Sequence, residues 1–123
     1  MRDVIVLISR RTPQDYREYL SQRQYPTIER GEVQVDLRAA LTAMFAEFGV
    51  QRVVVDSGPV LTSVLLDARL VDEVSILVHP LVAGAGHGRI FGNASRQAHL
   101  AAGGRTDLPD GLVHLRYSVR GLA

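Results

Sequence analysis

The chain has 123 residues, a formal net charge of +1, 46% hydrophobic and 22% charged residues, the profile of one ordinary globular domain spanning 1–123. No basic stripe supports sequence-independent nucleic-acid binding, and no apolar run is long enough for a membrane helix, so neither partner is expected. The absence of cysteine excludes disulfides and thiolate metal sites. It also fits a cytoplasmic location, as does a Met-Arg-Asp start without the apolar region of a signal peptide.

Val4 to Ile8 is continuous, apolar and mostly β-branched, the pattern of a strand covered on both faces in a parallel sheet. Thr12-Pro13 then opens a helix: Thr12 is placed to cap, Pro13 suits the first helical position, and Asp15 completes a capping-box-like spacing. Tyr16, Tyr19 and Leu20 share one face of that helix. Pro26 to Glu29 reads as a short strand. Asp36 begins the clearest helix, with Leu37, Ala40, Leu41, Met44, Phe45 and Phe48 in i, i+3, i+4, i+7 order. Asp36 is its expected N-cap and Gly49 its stop.

Val50 to Val55 reads as a second buried strand. Ser57-Gly58-Pro59 then turns into a helix with Pro59 at its first position and Val60, Leu61, Val64, Leu65 and Ala68 on its apolar face. Val74 to His79 reads as a third buried strand, followed by a loop containing Gly84, Gly86 and Gly88. Beyond it Val113, Leu115, Tyr117 and Val119 alternate with His114, Arg116, Ser118 and Arg120, the mark of a half-exposed antiparallel strand. Asp110-Gly111 signals the hairpin turn before it, with a partner strand in Gln97 to Leu108 bulged at Gly103-Gly104. The order predicts an α/β fold, a mostly parallel sheet with helices on both faces and a C-terminal antiparallel hairpin.

In open α/β sheets ligands bind beyond the carboxyl ends of the strands. The informative crossing is Val53 to Thr62: a strand ends at Asp56, a small-residue turn follows, and a helix starts at once. The amides of a first helical turn and the helix dipole favour an anion, and Gly58 lets a phosphate approach the backbone. The hydroxyls of Thr62 and Ser63 are further candidate donors. The competing reading is an ordinary strand-to-helix turn in which Gly58 serves only its dihedral angles. The full GxGxxG fingerprint is absent.

Asp56-Ser57-Gly58-Pro59-Val60-Leu61, then Leu65-Leu66, Leu70-Val71-Asp72-Glu73-Val74 and His79-Pro80-Leu81-Val82-Ala83-Gly84 resemble the C-terminal reductase domain of the bifunctional deaminase/reductase of riboflavin biosynthesis. They resemble still more closely the archaeal-type stand-alone reductase acting on 2,5-diamino-6-ribosylamino-pyrimidinone phosphate. Phe91, the stretch from Arg11 to Leu20 and Val35-Asp36-Leu37 fit the same pattern, so the resemblance covers nearly all of the chain. It implies a dihydrofolate-reductase-like three-layer fold that binds NADPH. Ser57, Gly58, Pro59, Val60, Leu61 and Thr62 would hold the cofactor pyrophosphate, Asp56 would lie at the substrate, and Ser9 and Arg10, with Arg11 beside them, would meet the adenosine 2′-phosphate. The implied reaction is hydride transfer to C1′ of a ribosylaminopyrimidine phosphate by a homodimer. Ser57 and Pro59 stand where the family has glycines. Family members also carry a substrate-side segment with a Ser-x-Asp-Gly-Lys-like motif before the position where this chain begins. The chain is therefore expected to be truncated at its N-terminus, and the alternative function is a non-catalytic nucleotide-binding or oligomerisation remnant.

Other residues carry weaker signals. Asp72 and Glu73 are adjacent, so on a strand they face opposite ways, as structural residues would. His79 stands at a strand end, and the structural reading is preferred for it. His87, His99 and His114 lack any metal-ligand spacing, and Ser63 lacks the Gly-x-Ser-x-Gly elbow of a serine hydrolase.

Overall fold

Five strands and three helices form within residues 3–122, the span described by this computed structural model. They fall into two compact units, Met1–Val54 and Val55–Ala123, each with its own sheet.

In the first unit β1 (Val6–Ile8), α1 (Gln14–Gln22), β2 (Thr27–Glu29) and α2 (Leu37–Phe48) follow in order. The two strands pair in parallel, Leu7 opposite Ile28, with α1 as the crossover between them. Ile8, Leu20, Ile28, Ala40 and Ala43 are buried and form the core of this unit. α2 packs on β2, and the small side chains Ala40 and Ala43 let helix and sheet approach. Both expected ends of α2 are present. The Asp36 carboxylate accepts from the Ala39 amide at 3.0 Å, and Gly49 closes the helix at φ 68°, a left-handed conformation that glycine adopts without steric cost.

Three expectations for this unit need correction. β1 starts at Val6, and Val4 is exposed, because among the described residues β1 pairs with β2 alone and so is not covered as a central strand would be. Thr12 does not cap α1. The N-cap is Pro13, without a side-chain hydrogen bond, while the Thr12 hydroxyl accepts from the Ser9 amide at 3.1 Å in a tight Ser9–Thr12 turn that competes with capping. Val50 to Val55 forms no strand and is largely exposed, 79% at Val54. Its β-branched composition fits a strand, but a strand needs a partner ladder, and none of the described residues supplies one.

The second unit contains α3 (Pro59–Asp67), β3 (Glu73–Val78), β4 (Ala98–Asp107) and β5 (Val113–Leu122). Its sheet is antiparallel in the order β3-β5-β4. The hairpin is as expected: Asp110 and Gly111 both have positive φ, 64° and 77°, and the Leu112 amide donates to Pro109 O at 3.4 Å. The expected bulge is also present. The register shifts between Ala102 and Gly104, and a Cβ on Gly103 would lie only 3.1 Å from Arg116 O.

β3 is not a parallel strand covered on both faces. It pairs with β5, and only Val74 is buried, with Ile76 half-buried, between exposed Glu73, Ser75 and Leu77. Among the described residues the parallel part of this α/β fold is therefore the one pair β1–β2. α3 buries Ser63, Leu65 and Leu66, whereas Val60, Leu61, Val64 and Ala68 are exposed, so the covered face is turned from the one that the apolar pattern marks. No helix among the described residues is long and apolar enough to cross a membrane.

Candidate functional site

The candidate residues occupy one stretch in each unit. Ser9 and Arg10 follow β1 in the first unit, and Asp56 to Thr62 lead into α3 in the second.

Parallel pairing puts the carboxyl ends of β1 and β2 at one edge, so the Ser9–Thr12 turn and the loop after β2 lie side by side. The Arg10 amide donates to Gly31 O at 2.9 Å, the Arg11 amide to Glu32 O at 3.0 Å, and the Arg30 amide to Ile8 O at 3.0 Å. Ser9 is buried, and its hydroxyl donates to Val33 O at 3.0 Å, so its side chain shapes the turn rather than facing outward. The Arg10 side chain is 70% exposed and meets the Glu32 carboxylate at 3.1 Å. A solvent-exposed pair of this kind contributes about 0–1 kcal/mol, so Glu32 holds the guanidinium only weakly. Two participants carry no sequence signal of their own. Glu32 stands in a loop, and Arg17 reads as a solvated helix residue. Arg17 nevertheless bonds Ser9 O, Arg10 O, Thr12 O and the Glu29 carboxylate.

In the second unit Asp56 to Leu61 are all exposed. Gly58 is the N-cap of α3, no side chain caps the helix, and Pro59 occupies the first turn, where its missing N–H costs nothing. The Val60 and Leu61 amides belong to that first turn, which has no intrahelical acceptors to offer them. Gly58 has φ −69° and ψ 173°, ordinary extended backbone, and a Cβ there would meet nothing within 4 Å. Neither dihedral angles nor packing demand glycine at this position. The space that a side chain would take is open, at the positive end of the helix dipole.

The hydroxyls following this turn are already engaged. Thr62 Oγ1 lies within donating distance of Gly58 O, 3.1 Å, and Ile90 O, 2.8 Å. Ser63 is buried, and its Oγ accepts from the Asn93 amide at 3.3 Å. Asp67 accepts the Ser95 amide on both carboxylate oxygens, at 2.9 and 3.1 Å. That backbone hydrogen bond, with help from the Ser95 side chain and from Arg96, holds the Asp67 pKa below the ordinary carboxylate value. Thr62, Ser63 and Asp67 thus lash residues 90–95 along α3. Any anion at the helix start is left to the backbone amides rather than to the two hydroxyls named from the sequence. Phe91 helps line a cavity of about 260 Å³ with Leu66, Val74, Ala98 and Leu100.

His114 Nε2 lies 2.6 Å from Ser75 Oγ across β3 and β5, on an exposed sheet face. Among the described residues no three His, Asp or Glu side chains come together as a metal site.

Residues 1–113 match the family model described as the RibD C-terminal domain. Among solved structures, a pyrimidine reductase-like protein of Corynebacterium diphtheriae matches 95% of this chain with a TM-score of 0.79 at 20% identity. Acinetobacter baumannii RibD matches 96% with a TM-score of 0.74 at 22% identity. A riboflavin biosynthesis protein, so named putatively, of Shewanella sp. PV-4 matches 95% with a TM-score of 0.63 at 13% identity. The chain spans 50% of the Corynebacterium protein, 31% of Acinetobacter RibD and 74% of the Shewanella protein. No curated protein matches the sequence.

Proposed function

The chain belongs to the RibD C-terminal domain family, and on that premise we propose that it binds NADPH for the reduction of a ribosylaminopyrimidine phosphate to its ribitylamino product. The observation that carries this reading is the start of α3, uncapped, exposed and open above Gly58. The amides of Val60 and Leu61, aided by the helix dipole, would hold the cofactor pyrophosphate there, with Ser57, Gly58 and Pro59 shaping the approach and Thr62 securing the turn from behind. The Arg10 guanidinium, freed from Glu32, would take the adenosine 2′-phosphate through charge-assisted hydrogen bonds, on a turn that Ser9 shapes and beside Arg11. Asp56 would accept hydrogen bonds from the substrate. When bound, the cofactor supplies the hydride, and this chain's residues act by positioning.

The test is Gly58→Asp. Nothing in the fold opposes the new side chain, since φ is ordinary and the space is empty. Its carboxylate would face the phosphates, and calorimetric titration should show NADPH binding lost with the circular dichroism spectrum unchanged. Unchanged NADPH affinity in a folded variant would sink the reading.

A second reading, a nucleotide-binding or self-associating module without turnover of its own, is favoured by the unpaired, strand-like Val50 to Val55. A reductase whose sheet needs another segment at that run would hold cofactor without completing the substrate side.

A further inference from the structure

Arg17 lies in α1 and makes four hydrogen bonds through its guanidinium. Nε donates to Thr12 O at 3.0 Å, Nη2 to Ser9 O at 2.8 Å and Arg10 O at 3.1 Å, and Nη1 to the Glu29 carboxylate at 2.6 Å. Three carbonyls of one turn are gathered by one side chain and tied to the end of β2. With 26% of its side chain exposed, Arg17 is better shielded than a surface ion pair, and its bonds constrain the turn accordingly. The planar fork is what permits this. A lysine ammonium is a compact charge and cannot span three carbonyls and a carboxylate in that geometry.

The amides of the same turn are all engaged. Ser9 N donates to Thr12 Oγ1, Arg10 N to Gly31 O, Arg11 N to Glu32 O and Thr12 N to Ser9 O. The turn therefore has no backbone donor for a phosphate. Recognition of an anion there rests on side chains, and the point and Cα–Cβ direction from which the Arg10 side chain leaves the turn are set by the backbone that Arg17 holds.

We propose that Arg17 is the positioning residue for nucleotide selection, fixing the Ser9–Thr12 turn so that the Arg10 guanidinium distinguishes a nucleotide bearing a 2′-phosphate from one bearing a 2′-hydroxyl. This rests on the reading of Arg10 as the 2′-phosphate contact. Arg17 acts through the turn and not on the nucleotide, since four of its five N–H donors are turned to the carbonyls and to Glu29.

The experiment is calorimetric titration of NADPH and NADH into the full chain and into Arg10→Ala, Arg17→Lys and the double variant. Arg10→Ala should lower the NADPH:NADH affinity ratio by about ten-fold, the effect of one charge-assisted hydrogen bond. Arg17→Lys should lower the same ratio by roughly five-fold, a part of that effect. The double variant should match Arg10→Ala alone, since Arg17 acts through Arg10. A merely structural role would weaken both nucleotides equally and leave the ratio untouched. If Arg10→Ala lowers the ratio and Arg17→Lys leaves it unchanged, or if the two losses multiply in the double variant, the positioning role is wrong while the Arg10 contact stands. If Arg10→Ala leaves the ratio unchanged, the Arg10 contact itself is wrong, and the inference about Arg17 goes with it. Should Arg17→Lys fail to fold, Glu29→Gln decides. It loosens only the Nη1 bond and should lower the ratio by a smaller factor, and an unchanged ratio there overturns the positioning role.

Discussion

Glu32 holds the Arg10 guanidinium at 3.1 Å, with both side chains more than two-thirds exposed. On the proposed reading it competes with the nucleotide phosphate for the same cation and adds a like charge beside it. Glu32→Gln should therefore tighten NADPH binding about two- to five-fold at low salt, the range of an exposed ion pair, and by less as ionic strength rises. Calorimetry at two salt concentrations measures this, and weaker binding in the variant would contradict it. Asp67 offers a pH-dependent counterpart. Its folded pKa is lowered by the Ser95 amide, so the stabilisation it contributes is present above the unfolded carboxylate value and is lost as pH falls through the lowered one. The protection of the Ser95 amide, its exchange rate measured against the intrinsic rate at the same pH, should fall on acidification in that window, and Asp67→Asn should remove the pH step. A step retained in Asp67→Asn would assign it to another group.

α2 shows how far local chemistry alone can define an element. The Asp36 cap and the left-handed Gly49 stop mark its ends, and both are readable because capping is a contact between residues close in sequence. Asp36→Ala should cost about 1 kcal/mol in urea denaturation, the ordinary value of an N-cap, with no change in the slope of the transition. A loss much smaller than that would mean that packing of α2 on β2 carries the helix without its cap. α3 is the contrary case. Its position and its Pro59 start follow from sequence, yet its buried residues are Ser63, Leu65 and Leu66, with Val60 and Val64 in water. Helical periodicity gives an apolar side, but the neighbours of a helix decide which side is covered. Here residues 90–95 take the side of Thr62, Ser63 and Asp67.

Each unit leaves apolar side chains in water, Phe45 and Val54 in the first, Leu81 and Val82 in the second, with Val82 94% exposed. Surfaces of this kind usually find a partner, and β1, paired among the described residues with β2 alone, leaves a strand edge open as well. A homodimer is accordingly expected, and light scattering on the purified chain tests it: a monodisperse monomer at micromolar concentration would contradict it. The exposed, unpaired run Val50 to Val55 leads into Asp56. If that run requires a partner strand to set Asp56, the chain alone should turn over the ribosylaminopyrimidine phosphate more slowly than about one per second, the low end for enzymes, while still binding NADPH. Faster turnover in an NADPH-oxidation assay would show that this chain holds the substrate without help.

By itself the sequence determined what depends on neighbours along the chain. It marked α1, α2 and α3, the Asp110-Gly111 hairpin, the bulge at Gly103, and the turn into α3 at Gly58-Pro59, one of several segments whose joint spacing resembles the family that residues 1–113 match. These are short-range effects of caps, turns and periodicity. The tertiary structure alone decided how the strands pair. Val74 to Val78 runs antiparallel to β5, and Val50 to Val55 remains unpaired, because β propensity describes a strand's fitness for a sheet and not the partner it meets. It also decided which polar groups remain open to a ligand. Ser9, Thr62 and Ser63 hydroxyls are engaged by carbonyls and amides distant in sequence, Arg17 closes the Ser9–Thr12 turn against Glu29, and the start of α3 is left without a side-chain cap. Hydrogen-bond satisfaction is settled by whatever the fold brings within about 3 Å, and that distance has no signature in the order of residues.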